Sequence, residues 1–230
     1  MNLSGKKFVV TGAFGALGAA VSAAIKSAGA QVACIDFAPA TKAPATVAGC
    51  VLIGGVDLSF PAAATKAVES AAAQLGGLDG VVNIAGGFRW EKIADGDIAT
   101  WDFMFNVNVR TAVNAIRAAL PLLKSPGARI VNIGAAGAIK AAAGMGSYAA
   151  SKAGVARLTE SLADELKDSG VTVNAILPSI IDTPVNRADM PTAEFDRWVK
   201  PEQVADLIVF LLSERAAAIT GALIPITGRV

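Results

Sequence analysis

The 230-residue sequence has no histidine, two cysteines and one tyrosine, and only 17% of it is charged. Without histidine, imidazole-based triads and the usual zinc and iron sites are excluded. Tyr, Lys, Asp and Glu are left as candidate proton carriers, and no metal is expected. Cys34 and Cys50 sit in apolar surroundings without a Cys-x-x-Cys spacing, which points to buried thiols rather than a disulfide. Charge is scarce and balanced, 20 Lys plus Arg against 19 Asp plus Glu, with no basic stripe or acidic tail. Electrostatics therefore makes no case for a nucleic-acid partner.

Membrane-spanning runs are lacking too. The apolar stretch from Phe8 to Ile25, preceded by Lys6 and Lys7, imitates a secretory signal, but Thr11, Gly12, Gly15 and Gly18 interrupt it at spacings that suit a strand, a tight turn and a helix. A cytoplasmic protein without a membrane partner is the expectation.

Apolar residues are abundant, at 53%, which suits a sheet covered by helices on both faces and a surface that an oligomer partner could share. Short Val- and Ile-rich runs at 7–10, 31–35, 51–53, 80–84, 129–133, 172–176 and 223–226 read as strands. Between them Ala-rich stretches near 16–28, 61–75, 98–123, 148–167 and 201–212 read as helices. This alternation predicts an α/β fold, one doubly wound (Rossmann) domain over residues 1–230 with a seven-stranded parallel sheet. Ligands of such a fold gather at the carboxyl ends of the strands. The segments there include substrate loops expected at about 87–97 and 178–200.

The first strand leads into Thr11-Gly12-Ala13-Phe14-Gly15-Ala16-Leu17-Gly18 and then a helix. Glycines let backbone N–H groups approach a pyrophosphate, which the positive helix end favours. Gly12, Phe14, Gly15, Ala16, Leu17 and Gly18 are thus candidate cofactor contacts. Asp36 closes the second strand about twenty residues on, where a dinucleotide-binding unit places an acid for the adenosine ribose hydroxyls. Its charge would repel a 2'-phosphate, and no Arg or Lys follows before Lys42. NAD(H) is therefore the preferred cofactor, with NADP(H) as the alternative.

Tyr148 is the sole tyrosine, and Lys152 follows at i+4 on the same helix face. A phenol near pKa ~10 is a poor proton carrier at neutral pH, so the expectation is that Lys152, together with an oxidised nicotinamide, lowers that value by ~3 units, worth about 4 kcal/mol.

Together these motifs resemble the short-chain dehydrogenase/reductase family over almost the whole chain. The resemblance rests on the glycine loop, Asp57-Leu58, Asn83-Ile84-Ala85-Gly86, Asn108 in a long helix, Tyr148-Ala149-Ala150-Ser151-Lys152, and Pro178 through Thr183. It implies that Asp57, with Leu58, lies at the adenine, that Ala85 and Gly86 line the ribose, and that Lys152 binds the nicotinamide ribose hydroxyls. It implies further that Asn108 holds a water in a proton relay and that Ile181 and Thr183, following Pro178, anchor the carboxamide.

Two departures stand out. The family's catalytic serine falls thirteen residues before the tyrosine, which is Ala135 here, and its second glycine is Ala16, with Gly15 one place early. Both resemble the quinonoid dihydropteridine reductase branch. So does Leu177-Pro178 followed by Asp182-Thr183-Pro184, Asn186-Arg187, Met190-Pro191, Phe195 and Trp198. Losing one oxyanion donor costs ~3 to 4 kcal/mol, a loss that an electron-poor quinonoid or iminium-like substrate tolerates better than a plain ketone.

The leading reading is a reductase of a polarised C=O or C=N bond in a small, flat substrate. Phe88, Arg89, Trp90, Arg187, Met190, Phe195 and Trp198 are candidate cleft walls, if they do not simply pack the loops. The alternatives are an ordinary alcohol or carbonyl dehydrogenase in which another hydroxyl, such as Ser147 or Ser179, replaces the serine, and a dinucleotide sensor without catalysis. The small residues on the two long helices predict a homodimer or homotetramer.

Overall fold

The computed structural model describes residues 1–124 and 126–230. Its strands are β1 (Lys7–Thr11), β2 (Gln31–Ile35), β3 (Val51–Ile53), β4 (Gly80–Asn83), β5 (Arg129–Ile133), β6 (Thr172–Pro178) and β7 (Leu223–Ile226). They form one seven-stranded sheet in the order β3-β2-β1-β4-β5-β6-β7, with every neighbouring pair parallel. Each expected strand is present, β1 running on to Thr11 and β6 to Pro178. Every residue of β5 and β6 is buried, which is why these runs read as continuous rather than alternating.

The helices are α1 (Ala16–Ser27), α2 (Pro61–Leu75), α3 (Ile98–Phe105), α4 (Thr111–Ala119), α5 (Gly146–Glu165), α6 (Pro184–Asp189) and α7 (Pro201–Leu212). On one face Val10, Val32 and Val131 pack against Val21 and Ile25 of α1 and Ile208 of α7. On the other, Val9, Ala33 and Val81 meet Val68 and Ala71 of α2, while Ile130 and Val173 meet Leu162 of α5. The sheet is therefore covered on both sides. The strand order changes direction between β1 and β4, and the crevice at their carboxyl ends is where a doubly wound sheet binds ligands.

The stretch read as one helix over 98–123 is divided. Residues Asn106–Arg110 form a wide π turn between α3 and α4, marked by the Thr111 N–H reaching back five residues to the Asn106 carbonyl. The apolar period runs across this turn without a break, so the extra residue is invisible in the pattern. What rewards it is tertiary: Asn108 is buried and tied to Gly87 on the next loop by hydrogen bonds in both directions. Such local widenings of a helix occur often at functional sites.

Candidate active site

β1 passes into the glycine loop through two close contacts. Gly12 has φ +65°, and a Cβ there would lie 2.7 Å from the Ala85 amide nitrogen. A Cβ on Gly18 would collide with the Gly12 carbonyl. Only glycine permits the turn and the approach of α1 to it. Thr11 adds a support, its Oγ1 accepting from the N–H groups of Ile84 and Ala85 at 3.1 and 3.2 Å. α1 starts at Gly15 with no side-chain cap and no acidic residue in its first turn. Its N–H groups and positive end are thus left for an anion.

Asp36 lies at the end of β2, one carboxylate oxygen accepting from the Phe14 amide at 2.8 Å and the other from the Ala38 amide at 2.9 Å. The residue that follows it is Phe37, 74% exposed, rather than a cation. A cleft of about 1070 Å³ runs from here along the sheet edge. Gly12, Gly15, Ala16, Leu17 and Gly18 form its floor, Asp36, Asp57 and Leu58 one end, and Thr183 the other, with Ala85 and Gly86 between. Phe14, Pro178 and Ile181 are not among its lining residues, nor are Asn108, Tyr148 and Lys152. Phe14 contributes its amide to Asp36, Pro178 ends the buried β6, and Ile181 pairs with Val199. Length, glycine floor, free helix end and terminal carboxylate fit a nicotinamide dinucleotide.

The three residues expected to do chemistry come from two elements, Asn108 from the π turn and Tyr148 and Lys152 from α5. Asn108 Nδ2 donates to Ser151 Oγ at 3.0 Å, and Ser151 Oγ donates to the Tyr148 carbonyl at 2.7 Å. A Cβ on Gly86 would meet Asn108 Oδ1 at 2.6 Å and Lys152 Nζ at 3.4 Å, so this glycine, the asparagine and the lysine form one cluster. Lys152 is buried, and its Nζ donates to the Ile133 carbonyl at 2.8 Å. Burial lowers its pKa to about 8.

Burial pushes the Tyr148 pKa up to about 12, because loss of water disfavours the phenolate; this acts against the lowering expected from Lys152 and an oxidised nicotinamide together. Tyr148 therefore holds its proton at neutral pH, the state a proton donor requires.

Ala135, at the start of the loop after β5, is buried and offers only a methyl group. Ser179 Oγ donates to the Thr227 carbonyl at 2.8 Å. Ser147 Oγ is buried without a hydrogen-bond partner and lines a separate cavity of about 190 Å³ with Glu91, Thr100 and Trp101.

Several positions were not legible beforehand. Asn114 of α4 holds the Leu58 and Ser59 carbonyls at 2.9 and 3.0 Å, and nothing in its local sequence signals this. Phe37, Phe60, Phe103 and Val185 also line the long cleft; exposed apolar residues after strands were the available signal. None of the expected wall residues Phe88, Arg89, Trp90, Arg187, Met190, Phe195 and Trp198 is among the residues that line that cleft; Phe88 packs on Tyr148 with ring centroids 4.9 Å apart.

A family model described as enoyl-(acyl carrier protein) reductase matches residues 12–228. D-beta-hydroxybutyrate dehydrogenase of Rhizobium meliloti is 33% identical, with 97% of each chain covered. The 3-oxoacyl-(acyl-carrier-protein) reductase of Thermotoga maritima is 30% identical over 99% of this chain and 98% of its own. A short-chain dehydrogenase from Burkholderia cenocepacia, solved in complex with NADP, superposes with a TM-score of 0.92 at 36% identity, covering 99% of this chain and 98% of that one. Full-length relatives thus match this chain in sequence and in fold, and the chain belongs to the short-chain dehydrogenase/reductase family of NAD(P)-dependent oxidoreductases.

Proposed function

We propose that this enzyme is an NADH-preferring, cytoplasmic reductase of small, flat compounds carrying an electron-poor C=O or C=N bond, in the manner of the quinonoid dihydropteridine reductase branch. The observation that carries this reading is the methyl group of Ala135 where a hydroxyl would polarise the substrate, with Ser179 bonded to the Thr227 carbonyl and Ser147 lining a separate cavity. One missing donor costs about 10²- to 10³-fold on an unactivated carbonyl. A substrate that is already polarised needs that donor least.

A bound nicotinamide supplies the hydride. The chain supplies the rest. Asp36 takes the adenosine ribose hydroxyls, the amides at the start of α1 the pyrophosphate, and Thr183 the carboxamide end. Lys152, fixed by the Ile133 carbonyl, holds the nicotinamide ribose. Tyr148 gives its proton to the substrate oxygen or nitrogen as hydride arrives at carbon. Asn108 keeps the loop at Gly87 and the Tyr148 turn in register through Gly87 and Ser151, and a water beside it would resupply the proton.

The named relatives support a second reading, ordinary ketone reduction of 3-oxo compounds with NADP(H) as an alternative cofactor. Initial rates of NADH and NADPH oxidation with quinonoid dihydropterin, o-quinones, diketones and simple ketones separate the two. The proposal requires quinonoids to be turned over at least 10²-fold faster than simple ketones; equal rates would overturn it.

A further inference from the structure

We propose that Phe88 is a specificity-determining residue, a fixed aromatic wall beside Tyr148 that selects flat ring carbonyls over short aliphatic ones. The inference rests on the reading of Tyr148 as the proton donor and goes beyond it by naming what the substrate touches.

The Phe88 and Tyr148 rings meet at 84° with centroids 4.9 Å apart, an edge-to-face pair. Phe88 is nevertheless 52% exposed, so much of its ring remains uncovered next to the phenol. A large apolar side chain left open beside a reacting group is a surface for a ligand rather than a piece of core.

The wall is also held still from both ends. On its N-terminal side Gly87 both donates to and accepts from Asn108, at 3.0 and 3.1 Å. On its C-terminal side Trp90 Nε1 donates to the Ala143 carbonyl at 3.0 Å, and the Glu91 amide donates to the Gly144 carbonyl at 2.8 Å. The loop after β4 is thereby zipped to the loop before α5. Gly144, at φ +75°, lies so close under the Trp90 indole that a Cβ there would strike it. A preset ring loses little freedom on binding, which makes its contacts count in full.

The arginines of the two expected substrate loops are already engaged. The Arg89 guanidinium stacks over the Phe103 ring at 4.3 Å. Arg187 pairs with both Asp182 oxygens at 2.6 and 2.8 Å and lies over Phe195 at 4.7 Å. What faces a substrate next to Tyr148 is an aromatic ring, suited to a neutral flat compound.

The test compares NADH-dependent reduction of 9,10-phenanthrenequinone and 2,3-butanedione, both activated dicarbonyls that differ in ring area, by wild type, Phe88→Leu, Phe88→Ala and Phe88→Trp. The proposal expects the ratio of kcat/KM for the ring substrate over the aliphatic one to fall roughly tenfold in the Ala variant, about half as far on a logarithmic scale in Leu, and to be kept in Trp. Parallel losses on both substrates would show that Phe88 only supports Tyr148, and an unchanged ratio would show no contact; either result overturns the proposal while leaving the reductase reading intact. A wild type that turns over neither dicarbonyl would overturn the functional reading and this inference with it.

Discussion

Lys152 Nζ donates a 2.8 Å hydrogen bond to the carbonyl of Ile133, two residues before the alanine that replaces the family serine. The end of β5 thus keeps the half of the machinery that orients the lysine and omits the half that polarises the substrate. Burial of the ammonium in this position, not a neighbouring charge, lowers its pKa to about 8.

That shift sets a pH dependence. Lys152 is charged below about pH 8 and neutral above it, so the charge that assists ribose binding is present at pH 7 and is lost as pH rises through 8. kcat/KM for the free enzyme should fall with a midpoint near pH 8. Lys152→Met should remove this limb of the profile along with most of the activity, and a profile flat to pH 10 in the wild type would contradict the assignment.

The second prediction concerns Ala135 and Tyr148. Ala135→Ser should leave quinonoid reduction nearly unchanged and raise turnover of unactivated ketones, by up to ~10²-fold for a well-placed donor. Tyr148→Phe should depress ketone reduction severely and quinonoid reduction less, since the sole phenol is then gone. Steady-state rates on both substrate types, run side by side, provide the check. Ordinary ketone turnover in the wild type with no gain from the serine would refute the activated-substrate argument.

Cofactor choice follows from Asp36. Its carboxylate sits at the end of the long cleft, held by the Phe14 and Ala38 amides, and the residue after it is Phe37 rather than a cation. NADH should bind at least tenfold more tightly than NADPH, and Asp36→Ala should narrow that gap. Fluorescence titration measures both constants; equal wild-type affinities would sink the assignment.

Assembly is the last prediction. α3 carries Ile98, Trp101 and Phe105 at i, i+3 and i+7, with 74, 38 and 50% exposure. Such a stripe on one helical face is left for another protein surface to cover. Light scattering at micromolar concentration should show a dimer or tetramer, and Trp101→Glu should shift it toward monomer.

Sequence alone determined the architecture and much of the chemistry of this protein. Short continuous Val/Ile-rich runs specify buried strands, glycines at 12 and 18 specify a turn that no other residue can make, and a Tyr–Lys pair at i, i+4 must share a helix face; each is a local rule that holds wherever the segment lies. Tertiary structure decided the rest. The π turn at Asn106–Arg110 exists because Asn108 reaches Gly87, 21 positions away. Ser179 is bonded to the Thr227 carbonyl, Ser147 lines a cavity with residues of the 91–101 stretch, and Trp90 is pinned to Ala143, 53 positions on. The burial that raises the Tyr148 pKa was likewise beyond local reading, because desolvation depends on how completely other elements close over a side chain, and spacing along the chain does not encode that closure.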